Sequence, residues 1–258
     1  ISFDSKTGMM IGLRYDGQNM IHGQQGPALN WYRSISNDPR EWIQPVVALR
    51  GFDWKLAEDG KSASVQSQIE IKVGQVNIPY TVRYRVYSNG RVDVAADFTT
   101  ESNFDLPRLG LQMFLNPSLE QVEWYGRGPM ENYRDRKNAA YMGCYKTTVM
   151  DMAEHYARAQ TMGGRTDTHW LALTDGQGKG LRITATDTLD FSAQHYTDKD
   201  LWQVKYGHDL SDIRRAEVVL NLDCIQRGLG NASCGPRPHY EIRKDTVYSY
   251  SFRMEPLR

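Results

Sequence analysis

Alternation with a period of two commits this chain to strands before any other feature is weighed. Val65, Ser67, Ile69, Ile71 and Val73 share one parity, and Gln66, Gln68, Glu70 and Lys72 occupy the other. Successive side chains of an extended backbone point to opposite faces, so such a run has one face to bury and one to wet. Tyr80, Val82, Tyr84 and Val86 repeat the pattern against Thr81, Arg83 and Arg85, and it resumes at Val92 and Val94. Between them stands Ser88-Asn89-Gly90, and Asn-Gly in that setting predicts a hairpin with both turn positions at positive φ. Leu109 to Leu115, Val122 to Tyr125, Trp170 to Thr174, Gly180 to Ala185, Ala216 to Asp223 and Val247 to Met254 read as further strands. Helical periodicity is weak: a short helix is expected over Asp198 to Tyr206, and a turn or two over Met130 to Ala140. Many short strands without strand–helix alternation predict an all-β antiparallel sandwich. With no fixed-period repeat and no low-complexity linker, residues 1–258 read as a single domain.

Composition narrows the function. Lys plus Arg and Asp plus Glu both number 31, so no basic excess attracts a phosphate backbone, and nucleic acid is excluded as the main partner. No apolar run approaches the ~20 residues that cross a bilayer, so no membrane partner is expected. Cys144, Cys224 and Cys234 are an odd set without paired or metal-ligand spacing, so three free thiols are expected. Asp187, Asp190 and Asp198 are too scattered for an oxygen-ligand loop, and no metal site is expected. A chain of 258 residues buries enough core to fold without disulfides or metal. It begins at Ile1 within an apparent strand, lacks an initiator Met, signal peptide or basic leader, and reads as a piece of a longer protein. Cytoplasm and periplasm both stay open. Fifteen Tyr and six Trp suit strands first, and sugar binding second, because flat apolar sugar faces stack on aromatic planes.

The densest information lies in Val122 to Lys137. A strand ends at Tyr125, Gly126-Arg127-Gly128-Pro129 makes a tight turn, and Glu131, Asn132, Asp135 and Arg136 follow within six residues. The plainer account has these charges satisfying one another and bracing a long loop against the sheet. The functional account has Glu131, Asp135 and Arg136 facing a sugar, whose hydroxyls need both donors and acceptors. The two glycines lack the strand–helix setting of a dinucleotide site.

Trp124-Tyr125-Gly126-Arg127-Gly128-Pro129-Met130-Glu131-Asn132-Tyr133-Arg134-Asp135-Arg136 resembles the G-x-G-P-x-E-N-Y-x-D-R signature of the C-terminal domain, or small chain, of family 2 β-galactosidases. Other elements are similar in the same order. These are Trp31 to Ser34 with Asn37-Asp38, then Gly163, Arg165, Asp167 and Trp170, then His195-Tyr196-Thr197. Last come Leu220 to Asp223 with Gly228-Leu229-Gly230. The resemblance spans the whole chain. It implies a large antiparallel supersandwich similar to galactose mutarotase. It also implies a parent enzyme that removes terminal β-D-galactosides with retention, using two glutamates ~5 to 5.5 Å apart. Those glutamates lie on a (β/α)8 barrel outside this chain, so no catalytic residue is assigned here, Glu131 included, and the isolated chain is expected to be inactive. The implied partners are the rest of the galactosidase chain with its barrel, the galactoside, and further copies in a homo-oligomer. Mg and Na are implied for the parent, and no cofactor for this domain.

In the family, a loop near the chain's end reads G-I-G-G-D-D-S-W and lends its Trp to the sugar pocket. Here Gly228 to Pro236 aligns with it and puts Cys234 at the Trp position, which makes Asn231, Ser233 and Cys234 the substrate-binding candidates. A thiol offers far less stacking area than an indole. Ala159-Gln160-Thr161-Met162-Gly163 also departs from the family's P-Q-E-N-G, losing a charge and several hydrogen-bonding groups at Thr161 and Met162. Two other functions compete. A mutarotase or hexose epimerase needs a His–carboxylate pair, for which His169 or His195 with Glu217 are the candidates. A non-catalytic carbohydrate-binding module needs only a concave sheet face rich in Tyr and Trp.

Overall fold

The computed structural model describes residues 1–35, 38, 41–230 and 240–258. Two short hairpins come first: β1 (Ser2–Phe3) with β2 (Met10–Gly12), and β3 (Arg14–Tyr15) with β4 (Gln18–Asn19). The strand β5 (Ala28–Asn30) follows. A four-strand meander is next, β6 (Val46–Leu56), β7 (Ser62–Val73), β8 (Val76–Tyr87) and β9 (Val92–Thr100). The remaining strands are β10 (Arg108–Leu115), β11 (Gln121–Gly128), β12 (Tyr141–Thr148), β13 (Arg165–Thr174), β14 (Gly180–Gln194), β15 (Val218–Gln226) and β16 (Thr246–Leu257). All pairings are antiparallel, in the order β12-β11-β13-β14-β16-β9-β8-β7-β6. A branch runs from β14 through β15 and β10 to β5.

The fork is in β14. Gly180 to Ala185 pairs with β16, and Asp190 to Gln194 pairs with β15. One long strand thereby serves both layers, and the core lies between them. Phe98, Phe252, Leu111, Met113, Leu173, Ile183 and Leu222 share its principal cluster, each nearly inaccessible. Burying one such side chain is worth about 1.5–3 kcal/mol. The alternation of β7 to β9 falls as expected, with Val65, Ile69, Tyr80, Val82, Val94 and Phe98 buried and their neighbours facing outward. The supersandwich expected from the sequence is the fold observed.

Three local expectations are corrected. At Ser88-Asn89-Gly90 only Gly90 takes positive φ, at +89°. Gly90 N–H donates to Tyr87 O at 3.0 Å and Tyr87 N–H to Arg91 O at 2.9 Å, a turn closed by one left-handed residue rather than two. Met130 to Ala140 forms turns without helix: Asn132 N–H donates to Gly164 O on another segment, and Tyr133 and Arg136 exchange backbone hydrogen bonds with each other, which is a turn closure and not the helical i to i−4 pattern. The expected helix is shorter, α1 (Asp198–Gln203), followed by a 3-10 helix over Gly207–Ile213. A capping box starts α1: the Thr197 hydroxyl accepts from Asp200 N–H, and the Asp200 carboxylate accepts from Thr197 N–H at 2.8 Å. Cys144 and Cys224 are free thiols, the first exposed; Cys234 lies outside the described residues. Among the described residues no helix is long and apolar enough to cross a membrane.

Candidate functional site

The polar cluster after β11 grips backbone that lies elsewhere in the chain. The Asp135 carboxylate accepts from Leu229 N–H at 2.9 Å and Gly230 N–H at 2.8 Å, across more than ninety residues. Burial works against its charge, but the Gly230 and Leu229 N–H groups, with its own N–H and the Arg136 guanidinium, together hold the carboxyl below its ordinary range. Gly228 must be glycine: a Cβ there would lie 2.8 Å from the Asp135 carboxyl carbon and 3.0 Å from Tyr240 Cβ. Gly228 N–H donates to Tyr240 O at 3.1 Å, so the segment between them leaves and returns at one point. Asn231, Ser233 and Cys234 fall in that segment and lie outside the described residues.

A second grip comes from the other end of the sequence. Arg33, with no exposed surface, donates through Nε to Asp38 Oδ2 at 2.6 Å and through Nη1 to Arg227 O at 2.6 Å. Its Nη2 reaches Gly228 O at 3.2 Å, and Arg227 Nε donates back to Asp38 Oδ1 at 2.8 Å. Asp38 thus bridges two guanidiniums directly beneath the glycines. A buried carboxylate between two arginines is stable only while both remain.

Glu131 makes a different brace. Its carboxylate accepts from Tyr133 OH at 3.1 Å, Gly163 N–H at 2.9 Å and Tyr156 OH. Asn132, 1% exposed, accepts from Thr166 N–H at 2.9 Å and donates to Met130 O at 3.0 Å. Asp167 is held by Lys137 at 2.8 Å and Arg127 at 2.5 Å. Arg136 contributes through charge alone: its exposed side chain favours the Asp135 carboxylate without a hydrogen bond to any described residue, and its backbone pairs with Tyr133. The charges therefore do brace a long loop, though mainly by holding backbone rather than by pairing among themselves. Thr161 and Met162 are buried in that brace. The Thr161 hydroxyl accepts from Ser34 N–H at 2.6 Å and donates to Asp198, while Met162 packs with Tyr196 and Leu201.

Arg108 underlies the whole assembly. Its Nε and Nη2 each reach an Asp223 oxygen at 2.8 Å, and Nη1 reaches Asp198 at 2.7 Å, all deeply buried. Opposite Asp223 on β14 sits Asp190, in a cleft of about 230 Å³ with Lys137, Asp167 and Gln226. Burial first, and the Asp223 carboxylate second, push the Asp190 carboxyl up to about 7. Between the ordinary value of 3.8 and about 7 the folded chain keeps a proton that the unfolded chain releases, so this group's contribution to stability falls as pH rises. Asp190→Asn is therefore expected to gain stability over wild type by a margin that grows from pH 4 to 7 and then levels. Urea unfolding at pH 4.5, 6 and 8 checks this, and a margin independent of pH would refute it.

Among the described residues the two candidate histidines offer no epimerase pair with Glu217. His195 Nε2 is 2.5 Å from Glu120 Oε1 and Nδ1 is 3.1 Å from Glu217 O, so both ring nitrogens are occupied in a buried position. The Glu217 carboxylate is engaged by Arg215 at 3.0 Å. His169 stacks on Tyr125 at 5.3 Å. Asp190 and Asp223 are paired across strands, but Asp223 has no accessible surface and both its oxygens are bound to Arg108, so they cannot serve as a retaining pair. Among the described residues no group of three His, Cys, Asp or Glu has the arrangement of a metal site.

The fold is an all-β antiparallel sandwich with the base of one segment clamped between its two ends, and sequence comparison gives the family. Residues 1–254 match the beta galactosidase small chain family, and the chain belongs to it. It is 32% identical to a beta-galactosidase of Staphylococcus xylosus over 86% of this chain and 22% of that protein. It is 25% identical to a beta-galactosidase of Priestia megaterium over 99% of this chain and 25% of the relative. The chain thus spans about a quarter of the length of these curated relatives. A galactose 1-epimerase from Lactobacillus acidophilus superposes with a TM-score of 0.45 at 7% identity, covering 80% of this chain and 66% of that one.

Proposed function

We propose that this chain is the C-terminal domain of a retaining β-galactosidase that removes terminal β-D-galactosyl units. It supports the active site and leaves both catalytic carboxylates to the rest of the enzyme. The observation that carries the reading is the family match over residues 1–254, in a chain one quarter the length of its relatives. The site chemistry agrees with it. Retaining hydrolysis needs two carboxyl groups ~5 to 5.5 Å apart with access to substrate. Glu131, Asp135 and Asp223 are instead consumed in holding backbone N–H groups or a guanidinium.

The resemblance to the family makes residues 231–239 the domain's contribution to one wall of the sugar pocket, with Asn231, Ser233 and Cys234 as the substrate-binding residues. Asp135, Arg33 and Asp38 fix Arg227 to Gly230, the residues that lead into that segment. Its partners are the remainder of the galactosidase chain with its barrel, the galactoside, and further copies of the enzyme. Mg and Na belong to the parent outside this domain. The isolated chain is expected to release no nitrophenol from nitrophenyl β-galactoside above a buffer blank, whereas the intact parent does. Turnover by the isolated chain that survives repurification would overturn the proposal.

A further inference from the structure

The inward side of the edge strand β6 is apolar yet open. Strand pairing sets Val47 against Ile71, Leu49 against Ile69, Phe52 against Ser67, Trp54 against Val65 and Leu56 against Ala63. All five therefore share the parity that β7 turns to the core. A bulge makes this possible, because the register shifts between Leu49 and Gly51. Under unbroken alternation Gly51, Asp53 and Lys55 would turn inward; the bulge returns Phe52, Trp54 and Leu56 to that side. Val46, opposite Lys72, is the large apolar exception on the outward side. Cover ends one strand short of the sheet's edge. Val65, Ile69 and Ile71 on β7 are buried, whereas Val47 and Leu56 are 56% exposed and Trp54 65%. An edge strand exposed on both faces needs no such separation of apolar from polar, so its presence on β6 points to a cover.

The chain's first residues cover only the middle of this strip. A Cβ on Gly8 would lie 2.6 Å from Leu49 Cδ1, and the Ser67 hydroxyl donates to Gly8 O at 2.5 Å. Phe3 packs on Phe52 at 6.5 Å and edge-on against Tyr84 at 5.0 Å. Tyr84 pairs with Val65 and Val65 with Trp54, so these three form one transverse row. Traced backward from Gly8 to Phe3, the polypeptide climbs from Leu49 toward the row of Trp54, with Leu56 beyond it.

We propose that Trp54 and Leu56 receive an apolar stretch of the parent enzyme, the polypeptide that leads into Ile1. The inference rests on the reading of this chain as one domain of a longer galactosidase, about a quarter of its relatives' length. The direction of residues 8 to 3 selects this occupant over a second copy, because it carries the preceding polypeptide onto the open end of the strip. Docking there also shields the free edge of β6, whose backbone donors and acceptors otherwise invite pairing with other chains.

The test puts benzoylphenylalanine in place of Trp54, and separately in place of Leu56, in the intact parent. Photo-crosslinks are then mapped by mass spectrometry. They are expected to join these positions to the segment directly before Ile1 in the same chain. Crosslinks to another copy, or to a part of the parent remote from Ile1 in sequence, overturn the proposal. So does a folded parent that gives no crosslink from either position. A second measurement needs no probe. Proteolysis of the parent just before Ile1 should quicken about tenfold or more in Trp54→Ser with Leu56→Ser, because cleavage follows the population of undocked segment. Lys55→Ser, on the opposite face, should leave that rate unchanged. Equal rates in the folded double variant and the wild type also overturn the proposal. Nitrophenyl β-galactoside turnover by the unsubstituted parent is read in parallel: its absence sinks the galactosidase reading alone, since the crosslinks report docking whatever the enzyme hydrolyses.

Discussion

Replacing Arg108 by leucine is expected to lower the stability of the domain by about 3–5 kcal/mol, the scale of breaking a buried ion pair from one side. The guanidinium satisfies both oxygens of Asp223 at 2.8 Å, one of Asp198 at 2.7 Å, and Tyr32 O at 3.3 Å. Without it, two buried carboxylates face each other near Asp190 with no cation. Burial already holds the Asp223 carboxyl above its ordinary range, even with Arg108 present. The double variant Arg108→Leu with Asp223→Leu should lose less than the single one, because it leaves fewer charges uncompensated. Arg83→Ala serves as the contrast. Its ion pair with Asp97 is solvent-exposed, and its loss should stay within about 1 kcal/mol. Urea unfolding of the three variants decides the matter. A single variant no weaker than the double would mean that the buried charges are compensated by some other route.

The parts of this architecture that sequence revealed were those buried on one face. Val65 to Val73, Tyr80 to Val86 and Val92 to Thr100 sit mid-sheet with one side on the core, so their alternation is clean. Val46–Leu56 and Tyr141–Thr148 went unread, and both are edge strands at the two ends of the sheet order. An edge strand exposed on both faces has no reason to alternate; Val46, Val47, Trp54 and Leu56 are all exposed, as are Tyr141 and Met142. β14 was read only as far as Ala185, because its parity changes where it leaves one layer for the other.

The site was legible in the same uneven way. Glu131 and Asp135 stood out as a dense polar cluster, but their partners, Gly163 and Leu229 with Gly230, lie 32 to 95 residues away. No local pattern joins them. Arg136, adjacent in sequence and equally conspicuous, faces solvent. Arg108 was missed altogether, although a lone arginine before Leu109-Gly110-Leu111 is the kind of charge that a buried strand holds only with partners.

The second large effect concerns Asp135 in the intact parent enzyme. Hydrogen bonds to a charged acceptor are worth about 1.5–3 kcal/mol each, and Asp135 makes two of them to the base of the loop. Asparagine keeps the shape but removes the charge and turns one acceptor into a donor facing an N–H. If roughly 1.4–2.8 kcal/mol of loop positioning is lost in the transition state, kcat/KM falls about ten- to a hundredfold. On the proposed reading Asp135 acts only by holding Leu229 and Gly230, so the pH profile should keep its shape while the rate drops. Lys146→Ala, on the exposed β12 edge, should change nothing.

The decisive measurement is kcat/KM of the parent for nitrophenyl β-galactoside with Asp135→Asn, alongside its unfolding midpoint. A loss of tenfold or more in a protein that stays folded is the predicted result. An unchanged kcat/KM in the folded variant would contradict the claim that this domain serves the active site through its clamped loop.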